Sequence, residues 1–323
     1  MQPSRLNYID SVKAICIFLM VVGHWNTNEL VERYVYSFHI PAFFIVSGYL
    51  YKRHTWWQTI LSFAIPVTAF SMIRLAEMIL LGELSLHTVT VPYVISHTLG
   101  YRYGLGVHLF EGIWFLWALL ALRLLFGDVG LLSKLRAIYI PLAIAVIVYM
   151  TFESHLVRID TLFRGYYIGR AIPSLPFFCL GLYLKDRNWN PNQISKSWFV
   201  IPVALICLSM PILNGRCDLY GNDYGYSYLL ASANAALATL LLFWLTSKLP
   251  PIKCIETISR GTLVVLGIHM PILHVLDYFL PASLNLIFPL ITIILCYYII
   301  IICERFCPAL IGKITINKAG SPR

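Results

Sequence analysis

Ten mostly apolar stretches, separated by short polar turns, dominate this 323-residue sequence and limit what it can fold into. They run approximately 8–25, 38–51, 57–81, 112–127, 137–152, 170–184, 198–213, 227–247, 262–280 and 284–303. A helix crosses a bilayer with ~20 apolar residues, within a range of ~17–25. The pattern predicts an all-α integral membrane protein, a polytopic bundle of about ten transmembrane helices. The second and sixth stretches are short and carry Pro41 and Gly48, and Pro173, Pro176 and Gly181. Such kinked segments are tolerated where neighbouring helices satisfy the backbone. Charged residues make up only 12% of the chain and its mean hydropathy is +0.75. A soluble domain carries about 25% charge, so a water-soluble enzyme, a disordered chain and a nucleic-acid binder are excluded.

The few charges set an orientation. The first stretch ends Gly23-His24-Trp25 without a small-x-small cleavage site, so it reads as a retained helix. With the N-terminus cytoplasmic, inner segments hold sixteen basic residues and outer ones six: Arg33, Arg102, Arg158, Arg164, Arg170 and Arg216. That asymmetry follows the positive-inside rule and absorbs the net charge of +9 without a polyanionic partner. It predicts that both termini are cytoplasmic, with a single transmembrane domain over 1–323 and a short basic tail from about 304. The eight cysteines form no CxxC pair, and the nine histidines give no HExxH motif or i,i+4 doublet. No metal is expected.

Lys13 and Arg74 fall inside apolar stretches. Charge at a bilayer centre costs on the order of 2.5–3.5 kcal/mol on insertion scales and marks function by default. The first stretch holds Asp10, Lys13 and His24. Lys13 and His24 are eleven residues apart, which returns to within ~20° of the same helix face and separates them by ~16 Å. Asp10 precedes Lys13 by three and can pair with it on that face. If the second helix starts on the side where the first ends, His39 falls in the same leaflet as His24. Two imidazoles facing one embedded site point to acid–base chemistry.

At these residues a family becomes recognisable. Lys13-x10-His24, followed by Ser37-Phe-His-Ile-Pro-Ala-Phe-Phe-Ile-Val-Ser-Gly-Tyr49, resembles the signature of the membrane-bound acyltransferase 3 family. Trp114-Phe115-Leu116, Phe177-Phe178-x-x-Gly181 and Gly261-Thr-Leu-Val-Val-Leu-Gly-Ile-His269-x-Pro271 resemble its later segments in order. The match is most similar to the fucose 4-O-acetylase-like, polysaccharide O-acetyltransferase branch. The resemblance implies transfer of an acyl group, usually acetyl from acetyl-CoA, to a hydroxyl of a cell-envelope or exported glycan. No permanently bound cofactor is implied; acetyl-CoA is the donor, a glycan or lipid-linked sugar the acceptor, and a bacterial inner membrane the location. Lys13 and His24 then form the signature pair, with Asp10 and His39 beside them as catalytic candidates. The arginines that often follow the second helix in this family are reduced here to Lys52 and Arg53. Those two, with Lys13, are the candidates for donor phosphates. For the acceptor the candidates are Arg164 and Arg170 of the most basic outer loop, Tyr224 of the 214–226 loop, and Trp114. A small secondary transporter or exporter of a solute or glycan precursor is the alternative; it shares the intramembrane charge and broken helices but lacks a visible internal repeat.

Overall fold

A computed structural model describes residues 6–25, 28–100, 111–127, 136–152, 167–194 and 197–313. Every one of the ten apolar stretches contains a helix. The longer ones are α1 (Asn7–Trp25), α4 (Trp56–Leu80), α8 (Ala171–Asp186), α10 (Tyr228–Thr246), α12 (Thr262–Phe279) and α13 (Phe288–Phe306). Four are shorter: α3 (His39–Tyr49), α6 (Trp114–Leu125), α7 (Tyr139–Phe152) and α9 (Val200–Asn214). Connecting helices are α2 (Glu29–Tyr36), α5 (Val91–Leu99) and α11 (Lys253–Arg260). Among the described residues the only β pairing is an isolated bridge between Asp218 and Asp223.

Among the described residues six segments are long and apolar enough to cross a membrane: α1, α4, Tyr167–Asp186, α10, α12 and Ala282–Phe306. The expectation of about ten spanning helices is therefore met by length in six of them. The 38–51 stretch yields only the 11 residues of α3, because Phe38 and Leu50 leave helical geometry at its two ends.

Helix α1 is central, touching α3, α10, α11, α12 and α13. Its charged stripe therefore faces protein rather than lipid, as the cost of charge in hydrocarbon demands. α3 lies along α8, whose other side meets α7. The α3–α8 crossing depends on two glycines from the two matching motifs. A Cβ on Gly48 would stand 2.2 Å from the Phe178 carbonyl oxygen, and one on Gly181 2.1 Å from that of Ile45. Small residues at such crossings let helix backbones touch, which is how helices associate without a hydrophobic driving force. Around this contact Ile17, Met20, Phe44, Ile45, Phe126 and Phe178 are fully buried in one continuous core.

A second anchor joins α4 to α12 near the His24 end of α1. Arg74 forms an ion pair with the buried Glu77, and its Nη2 lies 3.4 Å from Glu83 Oε2. His274 Nδ1 lies 2.9 Å from Arg74 Nη1 and 3.0 Å from Glu77 Oε1. Ligand atoms of Glu77, Glu83 and His274 come within 4.8 Å of one another. The Arg74 guanidinium already supplies the cation at that cluster.

Candidate active site: two chambers joined by an apolar neck

Three cavities follow one another along the charged stripe of α1. At its Lys13 end lies a chamber of about 270 Å³. Lys13, Arg123 and Arg260 place three cations on its wall, beside Ser47, Ser62 and Thr262. Lys13 Nζ donates to the Ser259 carbonyl oxygen, and Ser259 Oγ donates to Asp10 Oδ1 at 2.5 Å. Ser259, fully buried at the end of α11, thus ties the acid and the base of the stripe together. Arg260 is compensated by Glu304, at 2.5 Å, and Glu256, at 2.8 Å. Arg123 differs. Its Nε is buried without a hydrogen-bond partner among the described residues, and its guanidinium lies 5.7 Å from the Phe63 ring centre. A buried guanidinium not matched by a carboxylate is a seat for an anion.

The second chamber, about 110 Å³, lies at the His24 end. His24, Tyr36 and His39 form one wall and Trp114 another. The α9–α10 connection covers it with Arg216, Asp218 and Tyr220. The rings form a relay: His269 to His24 with centres 5.2 Å apart, His24 to Tyr36 at 6.0 Å, and Tyr36 to His39 at 5.2 Å. Local structure fixes two of the tautomers. His39 Nδ1 lies 2.6 Å from the Val35 carbonyl oxygen. His269 Nδ1 lies 2.9 Å from that of Val265 and 3.0 Å from that of Leu266. A carbonyl only accepts, so in both rings Nδ1 carries the proton and Nε2 keeps its lone pair. His269 Nε2 is buried with no hydrogen-bond partner among the described residues. His24 Nδ1 stands 3.4 Å from the Tyr36 hydroxyl.

The covering loop is built rather than loose. Asn214, buried at the end of α9, donates from Nδ2 to the Tyr224 carbonyl oxygen at 2.8 Å and accepts at Oδ1 from the Ser227 amide at 2.9 Å. Gly225 takes φ +65°, and a Cβ there would meet the Asn214 carbonyl oxygen at 1.9 Å. Only glycine lets the chain close this turn. Arg216 lies over the Tyr36 ring at 5.4 Å, within 3.5 Å of Glu32 and 4.0 Å of Asp218.

Between the chambers is a neck of about 30 Å³ lined by Ile17, Ile40, Phe43, Phe115, Leu263 and Leu266, with Thr262 at its rim. It shares Phe43 and Phe115 with the Lys13 chamber and Ile40 with the His24 chamber. Three helices trace the whole path, and a fourth lines its neck and the Lys13 chamber. α1 contributes Lys13, Ile17 and His24; α3, running the other way, His39, Ile40, Phe43 and Ser47; α6, Trp114, Phe115, Leu119 and Arg123; α12 adds Thr262, Leu263 and Leu266. Each series advances by three, four or seven residues for the most part, one helix stripe per element.

Several sequence candidates meet in these chambers, and others stand apart. Lys13 lines one, His24, His39 and Trp114 line the other, and Asp10 is held at the first through Ser259. Lys52 and Arg53 are exposed on the turn after α3 and line neither chamber. Tyr224 faces away from the cavity: its hydroxyl donates to Asn222 Oδ1 at 2.9 Å and its ring packs edge-on against Tyr228. Arg170 is buried and reaches the chamber only at one remove, its guanidinium 5.9 Å from the Tyr220 ring centre. Arg164 lies outside the described residues. Sequence reasoning placed Arg123 and Arg260 among loop charges and left Ser259 and Tyr36 unmentioned. The i,i+4 spacing Phe115-Leu119-Arg123 could have flagged Arg123.

The fold and the site define a class: an all-helical membrane protein with an imidazole-lined chamber at one end of its central helix and a cation-lined chamber at the other. The chain belongs to the acyltransferase 3 family, whose model, described as an acyltransferase domain, matches residues 6–305. It is an acyltransferase. No curated protein and no solved structure matches the chain.

Proposed function

We propose that the chain transfers acetyl from acetyl-CoA, bound at the Lys13 chamber, to a hydroxyl of a cell-envelope or exported glycan at the His24 chamber. One observation carries the reading: a cationic chamber and an imidazole chamber lie at opposite ends of one spanning helix, with a neck lined by α1, α3, α6 and α12 between them. Lys13 and Arg123 take the donor's phosphate groups, with Arg260 beside them; Asp10 orients Lys13 through Ser259. The thioester arm reaches toward His24 along the ~16 Å between Lys13 and His24. His24 removes the acceptor's hydroxyl proton as that oxygen attacks the thioester carbonyl carbon. The C–O bond forms, the C–S bond breaks, and the proton passes from His24 to the departing thiolate, leaving an ester and free CoA. Trp114 and Tyr220 offer flat faces to a sugar ring, while Arg216 and Asp218 supply a donor and an acceptor for its hydroxyls. His39 acts from across Tyr36. The distribution of basic loop residues supports a ten-helix crossing with both ends cytoplasmic and the His24 chamber toward the outer side, and the family resemblance supports a bacterial inner membrane. The polysaccharide O-acetyltransferase branch of the family suits this arrangement.

His24→Ala tests the reading. At matched protein level, general-base removal lowers glycan acylation by about 10²–10⁴-fold, measured as the acetyl mass shift on envelope glycans. Retained acylation refutes the role of His24. The transporter reading instead requires solute flux without ester formation, through a neck of six apolar side chains that offers a sugar's hydroxyls little besides Thr262.

A further inference from the structure

The neck lies where any acyl group travelling from the cationic chamber to His24 must pass. Its walls are the side chains of Ile17, Ile40, Phe43, Phe115, Leu263 and Leu266, and it holds about 30 Å³. That is about a ninth of the 270 Å³ of the Lys13 chamber and about a quarter of the 110 Å³ of the His24 chamber, so the neck is the tightest part of the path. Phe43 and Phe115 cannot retreat freely, because their rings lean on each other at 5.9 Å and Phe115 also meets Phe44 at 4.8 Å. Phe44, Ile17 and the neighbouring core are fully buried. Charged side chains stand in the walls of both chambers; the neck has none and offers Thr262 as its one hydroxyl-bearing side chain. Resting on the acyl-CoA reading above, we propose that this neck is the acyl-selecting filter of the enzyme. It passes a small, uncharged, unbranched acyl head such as acetyl and rejects branched or anionic ones.

Two separate costs enforce the choice. A branched head such as isobutyryl is wider than acetyl by one methyl at its leading carbon, and a surplus methyl or methylene in a fitted apolar pocket discriminates by about 10–200-fold. An anionic head such as succinyl must shed its water among six apolar side chains that offer the carboxylate no cation. The cations Lys13, Arg123 and Arg260 all stand on the donor side of the neck. On that chemistry, a carboxylate is held in the first chamber and does not reach His24.

Leu266 is the side chain to change. It sits on α12 between Leu263 and His269, and its removal widens the neck without touching either chamber's polar groups. Membrane vesicles from cells carrying the full chain, and from cells lacking it, are supplied with acetyl-, isobutyryl- or succinyl-CoA labelled in the acyl group. Label transferred to vesicle components is counted as the difference between the two. The unaltered chain should transfer acetyl at least tenfold faster than isobutyryl, and succinyl more slowly still. In Leu266→Ala the isobutyryl-to-acetyl ratio should rise about tenfold while succinyl stays excluded, and Phe43→Leu should move the same ratio in the same direction. Because the readout is a ratio between donors, loss of folded protein cancels. Equal transfer of acetyl and isobutyryl by the unaltered chain, or a ratio unmoved in both variants, overturns the filter and leaves the acyl-CoA reading intact. No chain-dependent label from any donor overturns that reading, and the filter with it.

Discussion

Alanine at Gly181 is the most demanding test of how the site is held. Its Cβ would lie 2.1 Å from the Ile45 carbonyl oxygen and 2.7 Å from the Tyr49 amide nitrogen, where ordinary contact begins near 3.4 Å. The two helices would have to part by about 1.3 Å, the difference between 3.4 and 2.1 Å. Both obstacles are main-chain atoms of α3, so no rotamer change relieves the clash. Overpacking costs typically ~1–3 kcal/mol, and with backbone on both sides the upper end applies, about 3 kcal/mol. That is more than a hundredfold in the folded-to-unfolded ratio, at ~1.4 kcal/mol per decade. The purified protein in detergent, unfolded by SDS and followed by tryptophan fluorescence and helical circular dichroism, reads this directly. Gly48→Ala should cost a similar amount, and the double variant less than the sum, since helices already parted have room for the second methyl. Acylation should fall further than folded protein does, because α3 carries His39, Ile40 and Phe43 into the path. A loss below about 0.5 kcal/mol for Gly181→Ala, or strict additivity, would refute the backbone-contact argument.

Asn214→Ala removes the side chain that closes the covering loop, leaving the Tyr224 carbonyl and the Ser227 amide to find other partners. It should cost about 1–3 kcal/mol and raise the acceptor KM more than it lowers kcat. Burial, reinforced by the nearby Asp223 and Asp218 carboxylates, holds the Cys217 thiol above its ordinary pKa. The thiolate is the reactive form, so maleimide should label exposed Cys254 and Cys307 first at neutral pH and Cys217 only as pH rises or the loop opens. A raised folded-state pKa also means that this contribution to loop stability is present at neutral pH and is lost as pH rises through it. Thermal unfolding of Glu77→Ala should show a loss of about 1–3 kcal/mol, because the buried carboxylate that Arg74 and His274 share is gone while Glu83 stays beside Arg74.

Apolar periodicity located all ten helical stretches, since in a membrane protein the length and composition of a segment decide its structure almost alone. The Lys13–His24 stripe was equally legible, being a property of one helix and its 3.6-residue turn. What could not be read is which stripes face one another. Ser259 completes the Asp10–Lys13 contact from 246 residues beyond Lys13, and nothing local to α11 announces it. Arg123 looked like a loop charge, but α6 ends at Leu125, so its guanidinium falls within the helix, at the chamber wall. Lys52 and Arg53 looked well placed by sequence proximity to α3, yet the chain turns outward at Leu50 and carries them away from both chambers. Tyr224 was chosen for its chemistry, and the same loop instead presents Tyr220, because the Asn214 anchor turns Tyr224 toward Tyr228.

The apolar neck has one more consequence, which concerns the bilayer rather than the reaction. A protein with hollows at both ends of a spanning helix risks becoming a leak, because protons cross wherever a water chain is continuous. Apolar constrictions of this kind shed water and so block ions without any moving part. With the edge-to-face pair Phe43 and Phe115 as its collar, the neck insulates the membrane while the enzyme is idle. On the acyl-CoA reading proposed above, a slender thioester arm that fills the neck would itself become the stopper.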